Sequence, residues 1–338
     1  MRYIHSLTII LAISSTAITA KALPQGAAAP STTTNYCWKD LAPLAGGNRQ
    51  EHSVAAIDKH VYVVGGLQSL SVTRSVEVYD SVANKWSAAA SLPVGLHHPN
   101  VAAVDGKLYV LGGLPSLLDW RGSPKSFVLD LAAPGAKWSS LEPLPNARGS
   151  AAVGVHGKRI WLVGGLSGLG NAVHFVSSFD TVSGKWTSYP NASLPEIRDH
   201  GGGAVVGNTF YFVGGRTGDP SSRKPNTWAL DLTAPSLKWV EKAKMPTPRG
   251  GIGVAAIGSK IYTFGGEGNP NTQSGVFPDN QAYDTATDTW TKELSMKNPR
   301  HGMGAATVGN RIYIPGGGAQ INGGRSVATT DSFGPGPC

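Results

Sequence analysis

Residues 147–165, ARGSAAVGVHGKRIWLVGG, read as two β-strands joined by a tight turn at His156-Gly157-Lys158. The first strand is small and apolar (Ala151, Ala152, Val153, Val155). The second, Ile160-Trp161-Leu162-Val163, is β-branched and aromatic, as suits a strand covered on both faces. Gly164 and Gly165 then let the backbone leave the strand in conformations costly for other residues. The same ending recurs as VYVVGG (Gly65-Gly66), LYVLGG (Gly112-Gly113), FYFVGG (Gly214-Gly215), IYTFGG (Gly265-Gly266) and IYIPGG (Gly316-Gly317). Successive first glycines lie 47, 52, 50, 51 and 51 residues apart. A repeat of short strands with this period predicts an all-β ring of six sheets, a six-bladed β-propeller. The small strand of each repeat is then innermost, where the sheets converge and bulky side chains do not fit.

Two further columns keep the same period. Asp80, Asp130, Asp180, Asp231 and Asp284 end the third strand, and Trp86, Trp138, Trp186, Trp239 and Trp290 follow on the outer strand. Both are read as structural: Asp caps the turn, and Trp packs between blades. The sixth repeat has a third strand around Ser326–Ser332 and then no Trp. The missing one is Trp38, 11 residues before Arg49. Tyr36–Lys39 is therefore expected to be the outer strand of the sixth blade, closing the ring and removing its sheet edges. Closure also brings together the two cysteines, Cys37 and Cys338, which are expected to form a disulfide.

Residues 1–22 have the form of a secretory signal, with Arg2, an apolar run over Leu7–Ala20 and Ala20-Lys21-Ala22 at the cleavage site. A disordered leader is expected over 23–35 and the propeller over 36–338. The chain is therefore assigned to the secretory pathway, secreted or in an endomembrane lumen, with a glycosylation sequon at Asn191. No other run is long and apolar enough to span a membrane. Net charge is +8, or +6 without Arg2 and Lys21, and is spread along the chain, so no nucleic-acid partner is expected. One propeller with no further domain reads as a monomer.

The loops leading into the first strands carry another periodic residue. Sixteen residues before each Gly pair stand Arg49, Arg148, Arg198, Arg249 and Arg300, with Leu96 in the second repeat followed by His97-His98. Five guanidinium groups around a channel mouth would bind carboxylate, phenolate or carbonyl oxygens through paired hydrogen bonds; equally, a repeat-wide Arg can bond loop carbonyls. On the first reading Arg49, Arg198, Arg249, Arg300 and His98 are the candidate catalytic groups. His52, Trp120, Arg148, His174, His200, Arg216, Glu267 and His301 are the candidate substrate contacts, with Glu51 and Asp199 nearby. The histidines form no H-x-H or H-E-x-x-H motif, so neither a metal nor any other cofactor is expected. Leu114, Leu117, Leu118, Leu166 and Trp120 offer an apolar wall, which suits a partly apolar small molecule carrying an oxygen acceptor or anionic group.

The Gly-Gly pairs, the Asp column and the Trp column together resemble the kelch superfamily over Tyr36–Cys338. Within it, the lack of extra domains and of interior cysteines argues against a galactose-oxidase type, and no E-x-x-x-D-x-x-x-H iron motif of nitrile-specifier proteins occurs. The single-domain secreted plan is similar to that of fungal propellers known as hetero-Diels–Alderases of tropolone–sesquiterpene pathways. That resemblance implies a cofactor-independent enzyme joining a polyketide tropolone quinone methide to a sesquiterpene alkene. The alternatives are a carbohydrate-active or carbohydrate-binding propeller like sialic-acid mutarotase, and a protein-binding kelch module.

Overall fold

The computed structural model describes residues 35–336. The signal sequence, the leader up to residue 34 and Cys338 lie outside the described residues. Six four-stranded antiparallel sheets form the blades. Blade three is Ala152–His156, Arg159–Val163, Val176–Asp180 and Lys185–Ser188, each strand paired to the next in chain order. Blades one, two, four and five repeat this plan with first strands Ser53–Ile57, Val101–Val104, Gly202–Val206 and Gly253–Ile257. Blade six takes three strands from the C-terminal end, Ala306–Val308, Arg311–Pro315 and Thr330–Pro335, and its outer strand from Tyr36–Leu41. Tyr36 faces Pro335, Cys37 faces Gly334 and Trp38 faces Phe333, so the ring closes as expected. The third strand of that blade begins later than expected, at Thr330. Gly324–Ser326 instead pairs with Gly318–Gln320 in a short hairpin above the blade.

One hydrogen bond joins neighbouring blades at all six boundaries. The indole N–H of Trp86 donates to the Ala42 carbonyl at 2.8 Å, and Trp138, Trp186, Trp239 and Trp290 donate to Ala90, Glu142, Ala192 and Ala243. Trp38 completes the set through Leu294 at 2.9 Å. Each acceptor follows the outer strand of the preceding blade, so Trp both packs there and bonds across the gap. Asp80 and Asp180 each accept from two backbone N–H groups of the following turn, which fixes the hairpin into the outer strand.

The Gly-Gly pair also acts between blades. The N–H of the second glycine donates to the carbonyl of the residue in the arginine column of the next blade: Gly66 to Leu96, Gly113 to Arg148, Gly165 to Arg198, Gly215 to Arg249, Gly266 to Arg300 and Gly317 to Arg49. A Cβ on Gly265 would run into the Arg300 carbonyl oxygen, and its φ is +58°, so a side chain is excluded twice. Interblade cores fill the wedges between sheets. One gathers Trp38, Tyr262, Phe264, Ile312 and Phe333 across the closure. Among the described residues no helix is long and apolar enough to cross a membrane.

Candidate functional site

The five arginines do not line the channel, and that expectation is corrected. Arg49, Arg148, Arg198, Arg249 and Arg300 are at most 1% exposed. Each folds into its own blade and ties the approach loop to the strands behind it. Arg49 binds Glu77 at 2.5 Å, and Arg300 binds Asp331 at 2.7 Å and the carbonyls of Gly316, Asn298 and Ile314. Arg249 donates to Gly265 and Asp279 carbonyls and to Thr263 and Gln281 side chains. Arg148 donates to Ser177 and three carbonyls, and Arg198 pairs with Glu196 and lies 4.7 Å over the Trp228 ring. Burial lowers the Arg148 and Arg249 guanidinium groups to about 9 and about 10. A buried guanidinium is tolerated because acceptors surround it.

Two places beyond the arginine column lie the residues that do face the axis: Glu51, His98, Ser150, His200, Gly251 and Gly302. All six have left-handed backbones, with φ between 48° and 64°. A closed hydrogen-bond ring joins them. Glu51 N–H donates to Gly302 O, His98 to Glu51 O, Ser150 to His98 O, Gly251 to His200 O and Gly302 to Gly251 O, over 2.6–2.9 Å. His200 N–H completes it through the Ser150 hydroxyl at 3.2 Å. Left-handed geometry costs a side-chain-bearing residue about 1–2 kcal/mol, so four such residues in one ring are held there by the loops around them.

These side chains form a polar floor between two cavities. Below is the central channel, about 520 Å³, walled by Ala55, Ala103, Gly154, Gly203, Ala255 and other small residues of the first strands. Above is a pocket of about 410 Å³ whose walls include Leu67, Leu70, Leu117, Trp120 and Pro220 and whose base includes Glu51, His200, Arg216, Glu267 and His301. Glu51 and His200 border both cavities. Trp120 stands over the floor, its ring 5.2 Å from that of His98 and 5.3 Å from that of His97.

The floor is a single bonded network. Arg216 reaches Asp199 at 2.8 Å, pairs with Glu267 and lies 3.2 Å from His200 Nε2. His200 Nδ1 meets Asp199 at 2.5 Å, and His98 Nε2 is 2.9 Å from Glu51 and 3.0 Å from His200 Nε2. Burial opposes ionisation of Glu51, but the neighbouring His98, His301 and His200 outweigh it and hold the carboxyl well below its ordinary range. Burial would weaken Arg216, yet Glu267 and Asp199 reverse this and raise it. Burial, helped by Arg216, lowers His200, against the pull of Asp199.

Of the residues expected at the site, His98, Trp120, His200, Arg216, Glu267 and His301 come together. His52 does not reach the pocket; it is buried at the channel wall, bonded to the Pro315 carbonyl at 2.9 Å and depressed to about 3 by burial and by Arg49. His174 is exposed on its loop and lines neither cavity, because Val173 pairs with Arg198 and turns the next side chain outward. Leu114 and Leu166 pack beneath the loops rather than forming the wall, and Leu118 is 97% exposed. Glu51, His97 and Asp199 belong to the floor on equal terms with the expected residues. Although no compact motif marks them in the chain, the ligating atoms of Glu51, His98 and His200 lie within 4.8 Å of one another. This donor set corrects the expectation that no metal-ligating cluster forms.

A closed ring of six four-stranded blades, each docked on the next through Gly-Gly and Trp, with a ligand-sized pocket above its axial floor, defines a kelch-type propeller. Sequence comparison agrees: residues 98–317 match the KLHDC2/KLHL20/DRC7 Kelch-repeats domain, and residues 48–93 match the Kelch motif. The chain belongs to the kelch-repeat family. It is similar to Kelch-like protein terF of Aspergillus terreus, 36% identical over 286 residues that cover 80% of this chain and 61% of that protein. Beta-scruin of Limulus polyphemus is 26% identical over 279 residues, 77% of this chain and 29% of its own length. Kelch-like protein 25 of Xenopus laevis is 34% identical over 118 residues, 35% of this chain and 18% of its own. The chain thus spans less than two thirds of the length of each of these relatives.

Proposed function

We propose that this protein is a small-molecule enzyme of natural-product biosynthesis. In its finest reading it is a hetero-Diels–Alderase that joins a tropolone quinone methide to a sesquiterpene alkene. The observation that carries the reading is the pocket: apolar walls at Leu67, Leu70, Leu117, Trp120 and Pro220 stand over a charged, buried floor. Such a space takes a partly apolar ligand and fixes its polar end. The resemblance to fungal propellers, and the fungal relative in Aspergillus terreus, favour this branch.

The chemistry asks little beyond placement. The alkene π pair forms the new C–C bond while the quinone methide oxygen forms the C–O bond, and no atom is lost. Holding both partners against Trp120 and the leucines supplies proximity. Negative charge grows on the dienone oxygen as the ring regains its delocalisation. Arg216, a fixed cation at the pocket base, is the donor suited to stabilise it. The test is a stereochemical assay with a quinone methide precursor and an electron-rich sesquiterpene. Accelerated formation of one stereoisomer is expected, and unchanged product ratios with and without protein would sink the reading.

A second reading has its own support. An aromatic platform beside the Glu51 and Glu267 carboxylates suits a neutral sugar. An anionic sugar is disfavoured, because burial of the arginine column leaves carboxylates in excess at the floor. Saturable binding of neutral oligosaccharides, lost in Trp120→Ala, would promote this alternative.

A further inference from the structure

The hydrogens of the floor can be counted from its outer contacts. His97 Nε2 lies 2.9 Å from the Ser116 carbonyl, which can only accept, so Nε2 carries the hydrogen. His97 Nδ1 is then a lone pair, 2.7 Å from His98 Nδ1, which must donate to it. His98 Nε2 points at Glu51 Oε2, 2.9 Å away, a contact that needs a proton or a cation between the two atoms. His200 Nδ1 donates to the Asp199 carboxylate, leaving His200 Nε2 bare. His301 Nε2 donates to the Gln320 carbonyl at 2.9 Å, and Nδ1 turns toward the floor. That buried Nδ1 makes no hydrogen bond and faces Glu267 at 3.5 Å and Glu51 at 3.8 Å. Three imidazole nitrogens thus converge on two carboxylates.

Charge points the same way. Glu51, Asp199 and Glu267 bring three carboxylates to a buried floor against the one guanidinium of Arg216. That excess favours added positive charge, which a dication supplies. The spacing also fits. Donors about 2.1 Å from one ion and at right angles lie about 3.0 Å apart. His98 Nε2 is 2.9 Å from Glu51 Oε2 and 3.0 Å from His200 Nε2. Both imidazoles already have the outer partners that metal-bound histidines use, Asp199 for His200 and His97 for His98. The one donor aimed at the centre is Arg216 Nη2, 3.2 Å from His200 Nε2; an ion would replace that contact while Asp199 and Glu267 retain the guanidinium.

We propose that Glu51, His98 and His200 bind one divalent transition-metal ion at the base of the pocket. Two imidazoles and a carboxylate select zinc, iron(II) or manganese over calcium and magnesium, which take oxygen ligands. His301 is placed to orient a water on that ion. The proposal stands apart from the cycloaddition reading, since it concerns binding alone.

The experiment uses tag-free full-length protein, stripped with a chelator and titrated calorimetrically with Zn²⁺, with bound metal counted by mass spectrometry after gel filtration. About one Zn²⁺ per chain is expected, with a raised melting temperature. His200→Ala and the near-isosteric Glu51→Gln should weaken binding by about 100-fold or more, while His156→Ala, outside the pocket, should not. The variant Glu51→Gln keeps the test open if His200→Ala fails to fold. Failure of the stripped protein to take up Zn²⁺, or equal affinity in wild type and Glu51→Gln, overturns the proposal; the centre is then occupied by a proton shared among the histidines.

Discussion

His98 Nε2 lies 3.0 Å from His200 Nε2, although 102 residues separate them and a whole blade stands between their loops. They meet because Ser150, the equivalent residue of the intervening blade, is small and spends its hydroxyl on the His200 N–H. Three alternating demands are met at once: left-handed backbones aim the side chains inward, the backbone ring fixes their height, and the serine leaves room. The site is therefore a product of the propeller's closure rather than of any one blade.

The arginine column gives the first prediction. Arg49→Ala removes the partner of Glu77, which is 4% exposed and otherwise holds only the Gly46 N–H and this guanidinium. An unpaired buried carboxylate should cost about 3–5 kcal/mol of unfolding free energy, read from urea midpoints. Arg49→Lys should recover little of it, since one ammonium cannot replace the guanidinium fork. A normal midpoint with abolished turnover would instead restore Arg49 to a direct role.

The blades were legible because Gly-Gly, Asp and Trp each answer a requirement that only one residue type meets: a close backbone approach, a turn cap, an indole N–H across a gap. Periodicity placed the arginines correctly in height but not in direction. Whether a guanidinium faces the axis or the blade depends on acceptors such as the Asp279 and Ile314 carbonyls, which lie on other segments of the blade and have no mark in the sequence. In the axial column His98, His200 and, nearby, Glu51 were legible one by one, but the column itself was not, for the opposite reason. Glu51, His98, Ser150, His200, Gly251 and Gly302 share a backbone state and no side-chain chemistry, so nothing repeats except their distance from the arginine.

Acid should weaken the fold before the carboxylates titrate. Burial and Arg49 depress His52 to about 3, and burial with His98 depresses His97 to about 4. The folded state keeps these rings neutral, whereas the unfolded chain takes up protons below about pH 6.5. Their contribution is therefore complete above about pH 6.5 and falls as pH drops toward the folded values. Between about pH 7 and pH 5 His52 alone should remove roughly 2 kcal/mol. Urea unfolding at the two values, with His52→Gln as comparison, checks this: the variant should show the flatter dependence, and equal slopes would contradict the assignment.

Closure predicts a second stability effect. Cys37 pairs in register with Gly334, four residues before Cys338 in the sequence, as the strands Tyr36–Leu41 and Thr330–Pro335 run together in blade six. A Cys37–Cys338 disulfide would close nearly the whole propeller, nominally worth about 5 kcal/mol on the chain-entropy model. Replacing both cysteines with Ser should lower the melting temperature and leave the β-sheet circular dichroism unchanged. Two reactive thiols in the unreduced, unfolded protein would rule the disulfide out.

The last prediction separates the backbone ring from the chemistry it carries. Gly251 and Gly302 occupy equivalent left-handed positions, with φ of +64° and +57°. Alanine at either one incurs the same backbone penalty, about 1–2 kcal/mol. Their surroundings differ. A Cβ on Gly251 would come no closer than 3.5 Å to the Glu267 carboxylate, an ordinary contact. A Cβ on Gly302 would collide with the Glu51 carboxylate and force it to turn away from His98. Both variants should therefore lose stability, Gly302→Ala the more, and Gly302→Ala alone should lose the ligand and metal affinity that depends on Glu51. Paired thermal melts and Zn²⁺ titrations make the comparison. Equal loss of affinity in both would mean that the ring itself, and not the Glu51 carboxylate, sets what the pocket binds.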